Sequence, residues 1–214
     1  MKEIRLKDVV PEIFASRNDI VSDIWHTDAV LERGKTYLIE AASGTGKSSL
    51  CSYLYGQRGD YRGIISFDKE DVSKYNINQW CNIRQQNISI LFQDLRLFGE
   101  LTAMENVEIK NRITHHRTRE QIVAWFEELG IGDKHNARID RMSYGQQQRV
   151  ALIRALCQPY DFILLDEPIS HLDDKNSDIM RDIVMREAKT SGAAVIATSI
   201  GKHMNIDYDK ILRL

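Results

Sequence analysis

The stretch Ala41-Ala42-Ser43-Gly44-Thr45-Gly46-Lys47-Ser48 comes just after the apolar run Thr36-Tyr37-Leu38-Ile39. A strand that ends in a glycine-rich turn and then enters a helix is the sequence form of a phosphate-binding loop. Glycines let backbone N–H groups close around phosphate oxygens, and the new helix points its positive end at them. Lys47 is expected to reach the β- and γ-phosphates, and the Ser48 hydroxyl to hold Mg²⁺. Ala41 stands at the first glycine of the pattern G-x-x-x-x-G-K-[ST]. Alanine is penalised there only where φ is positive. The loop predicts that a nucleoside triphosphate binds, without saying to what end.

Working outward, strand-like runs occur at Ile4–Val10, Thr36–Ile39, Gly63–Phe67, Ile88–Phe92, Phe162–Leu165, Ala194–Ala197 and Lys210–Leu214. Phe162–Leu165 and Ala193–Ala197 are continuously apolar, as expected of parallel strands buried on both faces. Helices are predicted between them at Ser48–Tyr55, Gly145–Cys157 and Ser177–Thr190. This alternation argues an α/β fold with a mostly parallel sheet. From about Leu101 to Arg141 the pattern turns helical, with pieces at Thr102–Ile109 and Arg119–Leu129, the latter stopped by Gly130. We read this stretch as a helical insert between two strands of the sheet. Its basic run, Lys110–Arg119, reads either as a docking surface or as a solvated face.

The 214 residues suit one α/β domain with an inserted subdomain. A net charge of -2 gives no field that favours nucleic acid, and none is expected as a partner. No apolar run approaches the roughly 20 residues that span a bilayer. Met1–Arg5 has no apolar core of a signal peptide. Cys51, Cys81 and Cys157 lack metal-ligand spacing and read as reduced, buried thiols of a cytosolic protein.

Phe162-Ile163-Leu164-Leu165-Asp166-Glu167-Pro168 is the second strong signal. An apolar strand delivers an acidic pair at its carboxyl end, the edge where open α/β sheets bind ligands. Asp166 is placed to hold Mg²⁺ through its water shell, and Glu167 to act on the attacking water as general base. Further candidates come from Ser143, a good N-cap whose hydroxyl, with the amides after it, can meet an anion.

Here a resemblance becomes specific. Met142-Ser143-Tyr144-Gly145-Gln146 resembles the L-S-G-G-Q signature of ABC-transporter ATPase domains, and Arg149–Leu156 resembles the helix that follows it. Leu91-Phe92-Gln93-Asp94 looks like that family's Q-loop, which makes Gln93 a contact for Mg²⁺ and the attacking water. Ser170-His171-Leu172-Asp173 looks like its D-loop, a contact between two ATPase domains. The resemblance covers nearly the whole chain and implies a P-loop NTPase. The implied architecture is a nucleotide-binding core (1–93 and 142–214), a helical subdomain (94–141) and an N-terminal antiparallel β portion. It implies ATP and Mg²⁺ as cofactors, with Ala41 through Ser49 at the nucleotide. It also implies a head-to-tail dimer in which Ser143, Tyr144, Gly145 and Gln146 face the other subunit's ATP. Phe92–Phe98 and Leu101–Val107 are most similar to the bacterial cell-division and lipoprotein-release ATPases. Those work beside a separate membrane permease, so the expected place is cytoplasmic, at the inner face of the cell membrane.

The chain departs from the pattern at several positions. Ser199 stands where the family carries a histidine beside the γ-phosphate. A serine can still donate a hydrogen bond there but lacks the reach of imidazole. Tyr144 replaces the first glycine of the signature pair, and His171 the usual alanine of the D-loop. The aromatic expected to stack on adenine is Phe14 or Trp25. Three functions follow for test: a hydrolysing subunit of a transporter or mechanical complex, a poor hydrolase serving as an ATP-gated module, and another phosphate-loop enzyme such as a small-molecule kinase.

Overall fold

The structure, a computed structural model, describes residues 1–17 and 19–214. In chain order the main elements are β1 (Glu3–Pro11), β2 (Asp28–Glu32), β3 (Thr36–Glu40), α1 (Lys47–Leu54), β4 (Tyr61–Phe67), β5 (Glu70–Asp71), α2 (Ile77–Gln86) and β6 (Ile88–Leu91). They continue with α3 (Ala103–Thr114), α4 (Arg119–Glu128), α5 (Tyr144–Leu156), β7 (Phe162–Asp166), α6 (Asp174–Ser191), β8 (Ala194–Ser199) and β9 (Lys210–Arg213). The described residues form two sheets. One is antiparallel, in the order β2-β1-β4-β5. The other is parallel throughout, in the order β6-β7-β8-β3-β9.

Side chains alternate across a strand, and here both faces of the parallel sheet are covered. Phe162, Leu164, Ala194 and Ile196 pack with Leu50 and Leu54 of α1 and with Ile4, Leu6 and Ile65 of the antiparallel sheet. Ile163, Leu165, Val195 and Ala197 turn the other way, into a second core with Val150, Leu152 and Ile153 of α5 and Met180, Ile183 and Val184 of α6. The unbroken apolar runs of β7 and β8 follow from this double burial. The second core continues into α3 and α4 through Val107, Ile122, Trp125 and Phe126. Both helices begin with a capping box, Thr102 with Glu105 and Thr118 with Gln121. Gly130, at φ 65°, ends the turn after α4 as its sequence predicts.

Several elements differ from the sequence reading. α3 runs on to Thr114, so half of the basic run is helical. That run is partly paired with carboxylates outside it: Arg112 and Arg119 share Glu108, and Arg117 lies 2.9 Å from Glu187 and stacks over Trp125. It is thus a partly paired face, with Arg112 and Arg119 still largely exposed. α2 and β2 carry no clear periodicity and were not expected; α2 buries none of its residues. Cys51 and Cys157 are buried, but Cys81 is exposed, because it lies on that surface helix. Among the described residues no helix is long and apolar enough to cross a membrane.

Candidate functional site

The carboxyl ends of four adjacent parallel strands converge on the loop 41–46. β3 feeds the loop directly, β7 ends on Asp166, β6 leads into Gln93, and β8 ends on Thr198 and Ser199. Register holds them together: Glu40 lies opposite Ser199, and Asp166 opposite Thr198. The loop closes at Gly46, whose φ of 104° precedes the first residue of α1. Ala41 is not among the positive-φ residues. Its β-carbon therefore carries no backbone penalty, and alanine serves where the pattern has glycine.

Lys47 is 5% exposed, and its Nζ donates to the carbonyls of Ala41 and Ala42 at 3.0 and 2.9 Å. The lysine thus spans the loop from beneath. Burial pulls its ammonium below the ordinary lysine value, and the carboxylates of Glu167 and Asp166 partly offset this. Thr45 Oγ1 donates to Ala42 O, a further tie across the loop. Ser43 and Gly44 at the loop tip are exposed. Ser49 Oγ accepts from Arg58 at 3.0 Å, one turn into the helix.

A chain of polar contacts runs along the strand ends. Ser48 Oγ donates to Gln93 Oε1 at 3.4 Å, and Gln93 Nε2 donates to Glu167 Oε2 at 3.3 Å. Thr198 Oγ1 accepts from the Glu167 amide at 3.1 Å and donates to Asp166 Oδ1 at 2.7 Å. Glu167 takes a φ of 51°, a left-handed turn that few non-glycine residues adopt and that swings it out of β7. Gln148, 2% exposed, donates to Pro168 O at 2.6 Å and supports that turn from α5. Beside these groups lies a cleft of about 440 Å³ lined by Ser48, Gln93, Tyr144 and Asp166.

Thr198 and Gln148 were not among the expected site residues. Thr198 sits in the apolar run of β8, where a lone polar side chain is a usable signal because once buried it needs a partner. Gln148 lies in the polar run Gln146–Arg149, which gives no such signal. Ser199 lies at the end of β8, where its sequence position predicts, but it is 1% exposed. Its hydroxyl donates to Lys202 O at 2.8 Å and accepts from the Gly201 amide at 3.0 Å. The group is spent on its own turn.

Both aromatic candidates for adenine lie against the loop. A β-carbon on Gly46 would stand 3.2 Å from Trp25 and 3.5 Å from Phe14. Trp25 is 2% exposed, and its indole donates to Thr45 O at 3.1 Å, so it props the loop. Phe14 is half-buried and lines a cavity of about 310 Å³ with Arg17, Ile20, Ser43 and Gly44. The signature residues sit at the start of α5. Ser143 caps it, accepting from the Gln146 amide, while Gln146 Oε1 accepts from the Ser143 amide. Gly145 is packed against the D-loop: a β-carbon there would meet Leu172 at 3.3 Å and the His171 carbonyl at 3.5 Å. Leu172 is buried, Ser170 and His171 are exposed, and Asp173 caps α6 through the Asn176 amide.

A glycine-rich loop between a central parallel strand and a helix, beside an acidic pair on a strand one place removed, defines a P-loop nucleoside triphosphatase. Sequence comparison narrows the class. The family described as ABC transporter matches residues 26–170, and the chain belongs to that family, whose ATP-binding domains hydrolyse ATP. The macrolide export ATP-binding/permease protein MacB of Shewanella sp. (strain ANA-3) is 30% identical over 86% of this chain, which spans 28% of that protein. The ABC transporter ATP-binding protein YclH of Bacillus subtilis (strain 168), itself uncharacterized, is 34% identical over 74% of this chain and 72% of its own length. The chain thus spans under a third of that macrolide exporter. In fold it is similar to the dimeric bacterial ABC transporter cassette MJ0796, with a TM-score of 0.85 at 23% identity over 99% of this chain and 94% of the other.

Proposed function

We propose that the chain is the Mg-ATP-hydrolysing subunit of a transporter or mechanical complex, working as a head-to-tail dimer beside a membrane permease on another chain. The observation that carries this reading is the contact chain Ser48–Gln93–Glu167–Thr198–Asp166, which brings metal-side and base-side groups from three strands and a helix to one phosphate loop. Ser48 Oγ, Gln93 Oε1 and the Asp166 carboxylate are hard oxygen donors, the kind Mg²⁺ takes, with Asp166 acting through water. Bound there, the ion would neutralise charge on the β- and γ-phosphates.

Lys47 exchanges its two loop carbonyls for phosphate oxygens, which return its ammonium to a charged partner. Glu167 takes a proton from water as that water attacks the γ-phosphorus, giving ADP and phosphate. Gln93 orients the water from the side opposite its contact with Ser48. Phe14 offers its face to adenine, while Trp25 stays beneath the loop. Ser143 and Gly145, with the α5 amides, meet the γ-phosphate of the partner subunit's nucleotide, and Ser170–Asp173 meet the partner across the interface. Closure of the dimer then depends on ATP, and hydrolysis loosens it. The 94–141 region is the subdomain that passes the motion on, at the inner face of the cell membrane.

Ser199 favours a second reading. With its hydroxyl held by Gly201 and Lys202, it gives the γ-phosphate nothing in this arrangement, which suits a slow hydrolase gated by ATP binding. Phosphate release by the protein with its permease, against a Lys47→Ala control, separates the two. Release well above the control supports the hydrolysing subunit. Tight ATP binding with release at the control level supports the gated module.

A further inference from the structure

Tyr144 does something a glycine at its position cannot. Its hydroxyl donates to the carbonyl of Gln93 at 2.7 Å, across 51 residues of sequence. Its ring meets His171 of the D-loop edge-on, with centroids 4.5 Å apart. The side chain of the same Gln93 is the bridge between Ser48 and Glu167. Just beyond it, Leu95 and Arg96 hold φ values of 56° and 48°. Two successive non-glycine residues in the left-handed region cost on the order of 1–2 kcal/mol each, so the turn persists only if its surroundings over-determine it.

Those surroundings are one helix. Near the far end of α5, Arg154 donates to the carbonyls of Leu95 and Arg96. At the near end Tyr144 takes the carbonyl of Gln93. α5 therefore grips the strained turn 93–96 at both ends, and the N-terminal grip is the residue that replaces a signature glycine. Gly145 beside it lets the D-loop come close enough for His171 to seat the ring.

We propose that Tyr144 is a positioning residue: it clamps the strained turn 93–96 to the first turn of α5 and so fixes the Gln93 amide between Ser48 and Glu167. The kinetic consequence rests on the hydrolase reading above; the clamp itself does not. Loss of the hydroxyl lets the turn relax and the Gln93 amide wander, which slows the chemical step without loosening the nucleotide.

The test is Tyr144→Phe in the full chain, which keeps the ring on His171 and removes only the hydroxyl. Hydrogen exchange is read first, without nucleotide, at the amides of Leu95 and Arg96, which donate to Phe92 O and Asp94 O. They should exchange roughly threefold to tenfold faster, the range one net hydrogen bond gives, with α6 and β8 unchanged. In ATP turnover, kcat should fall by a similar factor while KM stays within about twofold. Exchange at Leu95 and Arg96 that matches the unsubstituted protein overturns the proposal. So does faster exchange spread evenly over the chain, which marks a general structural role. An unsubstituted protein that releases no phosphate counts against the hydrolase reading alone, and the exchange result still decides the clamp.

Discussion

Gly46 and Gly44 separate two ways in which a glycine can be required. Both have positive φ, at 104° and 82°. A β-carbon at Gly44 would meet nothing within 4 Å, whereas at Gly46 it would stand 3.2 Å from Trp25 and 3.5 Å from Phe14. Gly44→Ala therefore carries backbone strain alone, on the order of 1–2 kcal/mol. Gly46→Ala adds a tight contact with an indole that is fully packed and tied to Thr45 O, so the ring must shift or the loop must open. We expect about 2–3 kcal/mol in total, the upper part of the range for a strained residue. Thermal unfolding without nucleotide reads this directly, at roughly 2–4 °C per kcal/mol for a chain of this size. ATP affinity, by titration, should fall further for Gly46→Ala, by about tenfold for each 1.4 kcal/mol. Equal losses for the two variants, or no loss for Gly46→Ala, would refute the picture of a loop closed against Trp25.

Two further outcomes follow from side chains around the site. Phe14→Ala should weaken ATP by about 1–3 kcal/mol, the size of one base–aromatic stack, with little change in unfolding temperature; Trp25→Phe should do the reverse, and isothermal titration beside thermal unfolding tells them apart. Lys110, half-buried with Arg154 and Arg84 nearby, has its ammonium lowered from 10.5 to about 8. Between those values the unfolded chain holds more protons than the folded one, so Lys110 makes stability rise with pH across that window, and its cost is fully present below about 8. Lys110→Met should stabilise the protein at neutral pH, by at most on the order of 3 kcal/mol, and flatten that rise. Urea unfolding at neutral and alkaline pH checks it: parallel profiles for the two proteins would contradict the assignment.

Much of the architecture was readable from local pattern. Phe162–Asp166 and Ala194–Ser199 had to be strands buried on both faces, because they alternate between two cores. Ser143 announced its helix as an N-cap, whereas the capping boxes that start α3 and α4 at Thr102 and Thr118 emerge only from the structure. The phosphate loop and the acidic pair were legible for the same reason: their chemistry is written in consecutive residues. α2 was not, since it fully buries no residue and only Trp80 and Ile83 pack half-buried against the core, too short a stripe to read. Nor were the contacts of Tyr144 with Gln93 or of Thr198 with Asp166, which depend on strand order and register. The doubt over Ala41 was a question about φ, and no sequence states a dihedral angle. Ser199 shows the converse, where position was legible and the commitment of its hydroxyl to Gly201 and Lys202 was not.

In the proposed mechanism ATP joins two copies of this chain, with Ser143 and Gly145 of each completing the other's site. Glu167→Gln keeps the shape of the general base and removes its basicity, so ATP should bind and persist. Size-exclusion chromatography with light scattering, run with and without Mg-ATP, measures the result. A monomer without nucleotide and a dimer with it are expected, reverting to monomer when Ser143 is also replaced by Arg. A Glu167→Gln protein that binds ATP yet elutes as a monomer would contradict it.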